Sequence, residues 1–179
     1  MTARSALLIA VPAAEPLVGS WRARYDEVAG RGVPAHVTLL YPFRPAAALY
    51  DAVIAAVQAV CREHEPFEFT LARVERFDDQ VVFLAPEPAQ PFRALTGALT
   101  ARFPDCPPYG GQIVDPLPHL TVADVAHALV HAEVWEEFRA AAEERLPIVT
   151  RADHVALYVQ DRDGRWHERA QIPLGGEPG

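Results

Sequence analysis

The chain has no lysine and no asparagine, so all 16 of its basic residues are arginine. A phosphate-binding loop of the GxxxxGK type needs its lysine. A pyridoxal-phosphate enzyme needs a Schiff-base lysine, and a nucleotide-activating ligase uses a lysine nucleophile. None of these is available. The only serines are Ser5 and Ser20, and neither sits in a nucleophile elbow, which excludes a serine hydrolase. Two cysteines, Cys61 and Cys106, are too few for a disulfide framework. Cys61 closes an expected helix and reads as a small core residue.

Long apolar runs are also missing. The N-terminal stretch Ser5 to Val11 is shorter than a spanning helix and is expected to be a first strand and not a signal peptide. A cytoplasmic protein without a membrane partner is the expectation. Net charge is −8 and the pI is near 5.3. A broad basic face for long nucleic acid is therefore not expected. A small phosphorylated ligand held by a few arginines remains open. Half of the 179 residues are hydrophobic and 22% are charged, which is globular. The length suits one domain over residues 1–179, a monomer with about five frayed residues at its end.

What the chain does contain is a repeated pattern. His36-Val37-Thr38-Leu39 returns 83 positions later as His119-Leu120-Thr121-Val122, each in a β-prone run. Residues i and i+2 of a strand share a face. Each copy therefore sets an imidazole beside a hydroxyl. Two copies brought together offer two proton carriers and two hydrogen-bonding hydroxyls, which suits a phosphodiester. Imidazole, with a pKa near 6.5, serves as base or acid at neutral pH.

The surrounding pattern supports a duplication. A strand Ser5 to Val11, a helix Glu15 to Ala29 with Leu17, Trp21, Tyr25 and Val28 on one face, and a strand Ala35 to Tyr41 form one unit. A strand Val81 to Ala85, a helix from Pro91 carrying Phe92, Leu95, Leu99 and Phe103, and a strand Pro118 to Ala123 form the second. A helix Ala46 to His64 and an alternating strand Phe67 to Phe77 lie between them, with Asp78-Asp79 as a hairpin turn. A helix from about His131 to Arg145 and two strands, Ile148 to Gln160 and Trp166 to Leu174, complete the chain. A pseudo-twofold relation between the units would face the two motifs across a cleft.

The paired His-x-Thr-hydrophobic motifs, their separation and the approach Tyr109-Gly110-Gly111 to Pro118-His119 resemble the two-histidine (2H) phosphoesterase superfamily, which includes 2′-5′ RNA ligase-like and cyclic phosphodiesterase proteins. The resemblance implies an α+β, bilobal fold with two antiparallel-rich sheets, helices outside and a central cleft. It also implies His36 and His119 as the acid–base pair and Thr38 and Thr121 as the phosphate clamp. The substrate would be a 2′,3′-cyclic phosphate, a 2′-5′-linked nucleotide or an RNA end, with no cofactor and no metal. Tyr41, Phe43 and Tyr109 border the motifs and are candidate base or ribose contacts. Arg44 is a candidate for neutralising phosphate charge. Packing or solvated-surface roles are the plain alternatives for all four.

Two other functions compete. One is a nucleotide-binding module that uses the same cleft without turnover. The other is a metal hydrolase on His127 and His131, an i, i+4 pair that lacks an evident third ligand and reads more simply as solvated surface. His64, His154 and His167 read as structural or exposed, and Trp21, Trp135 and Trp166 as packing residues.

Overall fold

A computed structural model describes residues 4–78, 80–113, 115–125 and 128–175, with only the backbone of 128 and 129. In chain order its elements are β1 (Ser5–Ala10), α1 (Glu15–Tyr25), α2 (Glu27–Gly30), β2 (His36–Leu40), α3 (Asp51–Arg62), β3 (Phe67–Phe77), β4 (Val81–Glu87), α4 (Gln90–Arg102), β5 (Leu120–Asp124), α5 (Ala128–Glu143), β6 (Ile148–Ala152), β7 (His154–Gln160) and β8 (Trp166–Pro173).

The strands form two four-stranded antiparallel sheets, ordered β2-β1-β7-β8 and β5-β4-β3-β6. The fold is α+β, and the orders correspond. β2 and β5, the strands of the two motifs, are equivalent edge strands, each paired to the strand that opens its own unit. The helices are exchanged: α1 packs against β5, and α4 against β2. Thr96 of α4 donates its hydroxyl to the Leu39 carbonyl at 3.1 Å and pins that second contact.

Alternation explains which face is covered. Leu7, Ile9, Val37, Leu39, Val155 and Leu157 of the first sheet point into the main core. They meet there Phe69, Leu71, Val82, Leu84, Leu120 and Val122 of the second, under Phe92, Leu95 and Leu99 of α4. Each such fully buried Leu or Phe contributes roughly 1.5–3 kcal/mol. Ala6, Leu8 and Ala156 face the other way and form a small separate cluster with Val33, Tyr158 and Trp166. His36 and Thr38 share that second face with them.

Neither motif strand is regular. Leu7 pairs with Leu40 but Leu8 with Thr38, so Leu39 is an extra residue in β2. Likewise Val82 pairs with Ala123 but Phe83 with Thr121, which leaves Val122 extra in β5. Both β-bulges fall on the hydrophobic residue that ends its His-x-Thr motif. A bulge bends a strand and re-aims the side chains beyond it.

Three expectations need correction. The helix expected over Glu15 to Ala29 breaks at Asp26, whose extended backbone (φ −128°, ψ 106°) lets its side chain cap α2 by accepting from the Val28 N–H. The break turns Val28 outward to 36% exposure, off the buried face proposed for it. The helix expected from Ala46 begins at Asp51, after an extended Tyr50. The single strand expected over Ile148 to Gln160 is two strands in different sheets. β6 pairs with β3, β7 pairs with β1, and Asp153 is the crossing point. Among the described residues no helix is long and apolar enough to cross a membrane.

Candidate active site

His36 opens β2 and His119 immediately precedes β5, and both stay half-buried. Each ring is held by the backbone two residues upstream. His36 Nδ1–H donates to the Pro34 carbonyl at 2.7 Å, and His119 Nδ1–H to the Leu117 carbonyl at 2.8 Å. A carbonyl oxygen can only accept, so Nδ1 must carry the proton in both rings. Nε2 of each neutral ring is thereby left as the free base. The two halves of the chain thus present the same tautomer by the same local device.

Their surroundings differ. His119 stands edge-on against Phe77 (5.0 Å, 90°) and Phe83 (5.5 Å, 65°), which are themselves stacked at 4.1 Å. Burial lowers its pKa, against the contact with the Leu117 carbonyl. His36 is pushed down to about 4, chiefly by burial. The Pro34 carbonyl opposes that shift, while the charges of Arg22 and of His119 add to it. The strands of the two motifs, β2 and β5, lie against each other.

Arg22 is a residue the sequence reading missed. It is 2% exposed on α1, and its Nε and Nη2 donate to Asp26 Oδ2 at 3.1 and 2.9 Å. Nη2 also donates to the Val33 carbonyl at 3.3 Å, on the approach to β2. The i, i+4 spacing of Arg22 and Asp26 was the available signal, but it is equally common on solvated helix faces. Burial raises the Asp26 pKa, Arg22 works against that, and Asp124 of β5 adds to it.

Thr38 lies half-buried two residues along from His36, and Thr121 likewise from His119. The Tyr109 phenol interacts with the Thr38 side chain, and the Tyr109 N–H donates to the Tyr41 carbonyl at 2.6 Å. The loop before the second motif is therefore laid across the first. Burial keeps the Tyr109 phenol protonated by raising its pKa, with Thr38 opposing. Tyr109 has φ 52°, a left-handed conformation, and Gly110 beside it has φ 64°. Tyr41 accepts from Arg4 Nη1 at 2.6 Å and meets Trp166 edge-on at 6.1 Å.

Two candidates leave the site. Phe43 is 6% exposed and packed edge-on against Phe103 at 5.0 Å, inside the main core. Arg44 lies beyond the far end of β2, its Nη2 on both Asp105 oxygens at 2.9 and 2.8 Å and its guanidinium over Phe103. It is committed to the proline-rich loop. Cys61 is fully buried, its thiol pushed up to about 12 by burial, in keeping with a core role. His127 lies outside the described residues. His131 is not solvated surface: it is 1% exposed on α5, and neither ring nitrogen has a hydrogen-bond partner among the described residues. Among the described residues no three His, Cys, Asp or Glu side chains are grouped to hold a metal ion.

Residues 10–164 match the family model of the 2′-5′ RNA ligase superfamily. The chain belongs to that superfamily. It is accordingly of the phosphoesterase and ligase class. No curated protein sequence matches the chain. Among solved structures it is similar to Escherichia coli LigT complexed with 3′-AMP, at TM-score 0.59 and 19% identity over 98% of this chain and 100% of that one. TT0787 of Thermus thermophilus is similar at TM-score 0.58 and 19% identity, over 97% and 99%. Another LigT structure, complexed with NADP+, has TM-score 0.58 and 18% identity, over 98% and 99%. At these identities the likeness concerns the fold.

Proposed function

We propose that this single domain is a metal-independent phosphodiesterase that opens a 2′,3′-cyclic phosphate or cleaves a 2′-5′-linked nucleotide or RNA end. His36 is the general base and His119 the general acid. The observation that carries the reading is the matched pair of Nδ1–carbonyl contacts, which leaves an Nε2 free on each motif histidine. Thr38 and Thr121 hold the phosphate oxygens, and Tyr41 and Tyr109 border the nucleoside.

The roles follow from the unequal surroundings. Burial favours the neutral form of both rings before substrate arrives. A phosphodiester brings a negative charge, which favours an imidazolium beside it. His119 takes that proton, because His36 is disfavoured further by the buried Arg22 cation. His36 Nε2 then removes a proton from water as the water oxygen bonds to phosphorus. The bond from phosphorus to one ribose oxygen breaks, and His119 Nε2–H protonates that oxygen.

LigT bound to 3′-AMP is consistent with a small nucleotide as ligand. The test is turnover of 2′,3′-cyclic nucleotides and 2′-5′ dinucleotides in the presence of EDTA. Unimpaired formation of a nucleoside monophosphate or a cleaved dinucleotide supports the reading. Activity that vanishes on chelation and returns with added metal would overturn it.

A further inference from the structure

The sheet face beyond His119 holds a groove of about 690 Å³ that the two histidines do not account for. Its walls include Arg73, Glu75, Ala85, Glu87, Leu117 and Pro118. Leu117 and Pro118 lead directly into His119, and the Leu117 carbonyl accepts from the His119 ring, so the wall of the groove adjoins the residue that holds the imidazole. The register fixes the rest. Arg73 pairs with Ala85 and Glu75 with Phe83, the ring that His119 meets edge-on. Adjacent strands lie about 4.8 Å apart, so Arg73 stands two strands, roughly 10 Å, from the strand of the second motif. Ala85 between them has only a methyl group, which keeps the floor open. The volume falls in the range of small-molecule sites, about 300–1,000 Å³.

The charge of the groove limits its occupant. Arg73 donates through Nε to Glu75 Oε1 at 3.1 Å and lies 2.5 Å through Nη2 from Glu87 Oε1. One guanidinium is held between two carboxylates, and the site is net negative. It offers carboxylate acceptors for hydroxyl or amino donors, and the exposed Leu117 side chain beside the Pro118 ring for an apolar face. That is the chemistry of a ribose and base, and it opposes a second phosphate.

We propose that this groove is the subsite for the nucleoside on the leaving side of the scissile phosphodiester, and that it selects a leaving nucleoside bearing no further phosphate. The proposal rests on the acid–base reading, in which His119 protonates the leaving oxygen next to the groove. It narrows the preferred substrate to a 2′-5′-linked dinucleoside monophosphate or an RNA end of that form.

The experiment compares three substrates: 2′,3′-cyclic AMP, a 2′-5′-linked adenosine dinucleoside monophosphate, and the same dinucleotide with a 3′-phosphate on its leaving nucleoside. Both kcat/KM and, by titration calorimetry, Kd are measured for the wild type and for the double variant Glu75→Gln, Glu87→Gln. The wild type should prefer the unphosphorylated dinucleotide by about tenfold, a preference that shrinks as salt screens the carboxylates. The double variant should bring the two dinucleotides to within about twofold and leave 2′,3′-cyclic AMP turnover unchanged. Equal handling of both dinucleotides by the wild type, or discrimination that persists in the double variant, overturns the groove. Discrimination in Kd without turnover of any substrate would support the groove and overturn the acid–base reading instead.

Discussion

At the scale of single residues, the environment of His36 has consequences that can be measured without a substrate. Its pKa in the folded chain is about 4, below the ordinary value of 6.5. The unfolded state therefore binds the proton more readily, and stability rises with pH across that window. As pH falls from about 6.5 towards 4 the wild type should lose stability through this residue, with no further loss from it below that. A His36→Gln variant lacks the titration, so its melting temperature should fall less over the same range. Parallel Tm–pH curves for the two proteins would contradict the assignment. Tyr109 offers a second test at this scale. Its protonated phenol meets the Thr38 hydroxyl, and loss of one such hydrogen bond costs about 0.5–1.5 kcal/mol. Tyr109→Phe should therefore lower kcat/KM by roughly 2- to 12-fold. An unchanged value would show that the contact does not bear on the Thr38 clamp.

At the scale of elements, the first unit is held by the buried Arg22–Asp26 pair at the break between α1 and α2. Breaking a buried pair by removing one partner leaves an uncompensated charge, at a cost of about 3–5 kcal/mol. Asp26→Ala should cost about that much in urea unfolding. A loss below about 1 kcal/mol would mean that Arg22 finds water or another acceptor. Much at this scale was legible in the sequence. The strands, the hairpin at Asp78, the helix of Phe92, Leu95 and Leu99, and the two motif strands follow from period-2 and period-3.6 patterns. The bulges were visible too, in hindsight, as adjacent apolar pairs Leu39-Leu40 and Val122-Ala123 that break alternation. The crossing at Asp153 was not, because a β-prone run carries no mark of which sheet each half joins. Phe43 and Arg44 were misplaced because nearness in sequence says nothing of the side a chain takes after a bulge. Arg22 was missed for the opposite reason, since its burial comes from tertiary packing of α1 against β5.

At the scale of the whole molecule, the exchange of α1 and α4 between the two sheets ties the motif strands to each other's supports. Net charge of −8 and the few arginines near the motifs imply few phosphate contacts. Affinity for a mononucleotide should therefore fall only shallowly with salt, and a steep log–log slope would point to an extended basic groove. The central claim is that two histidines from the two halves act as one acid–base unit. Its most direct test is kcat/KM on a 2′-5′-linked dinucleotide for His36→Ala, His119→Ala and the double variant. Each single change should cost about 10²–10⁴-fold, and the double variant should be scarcely worse than the poorer single one, because members of a unit are non-additive. Full activity in either single variant, or losses that multiply in the double, would contradict the account.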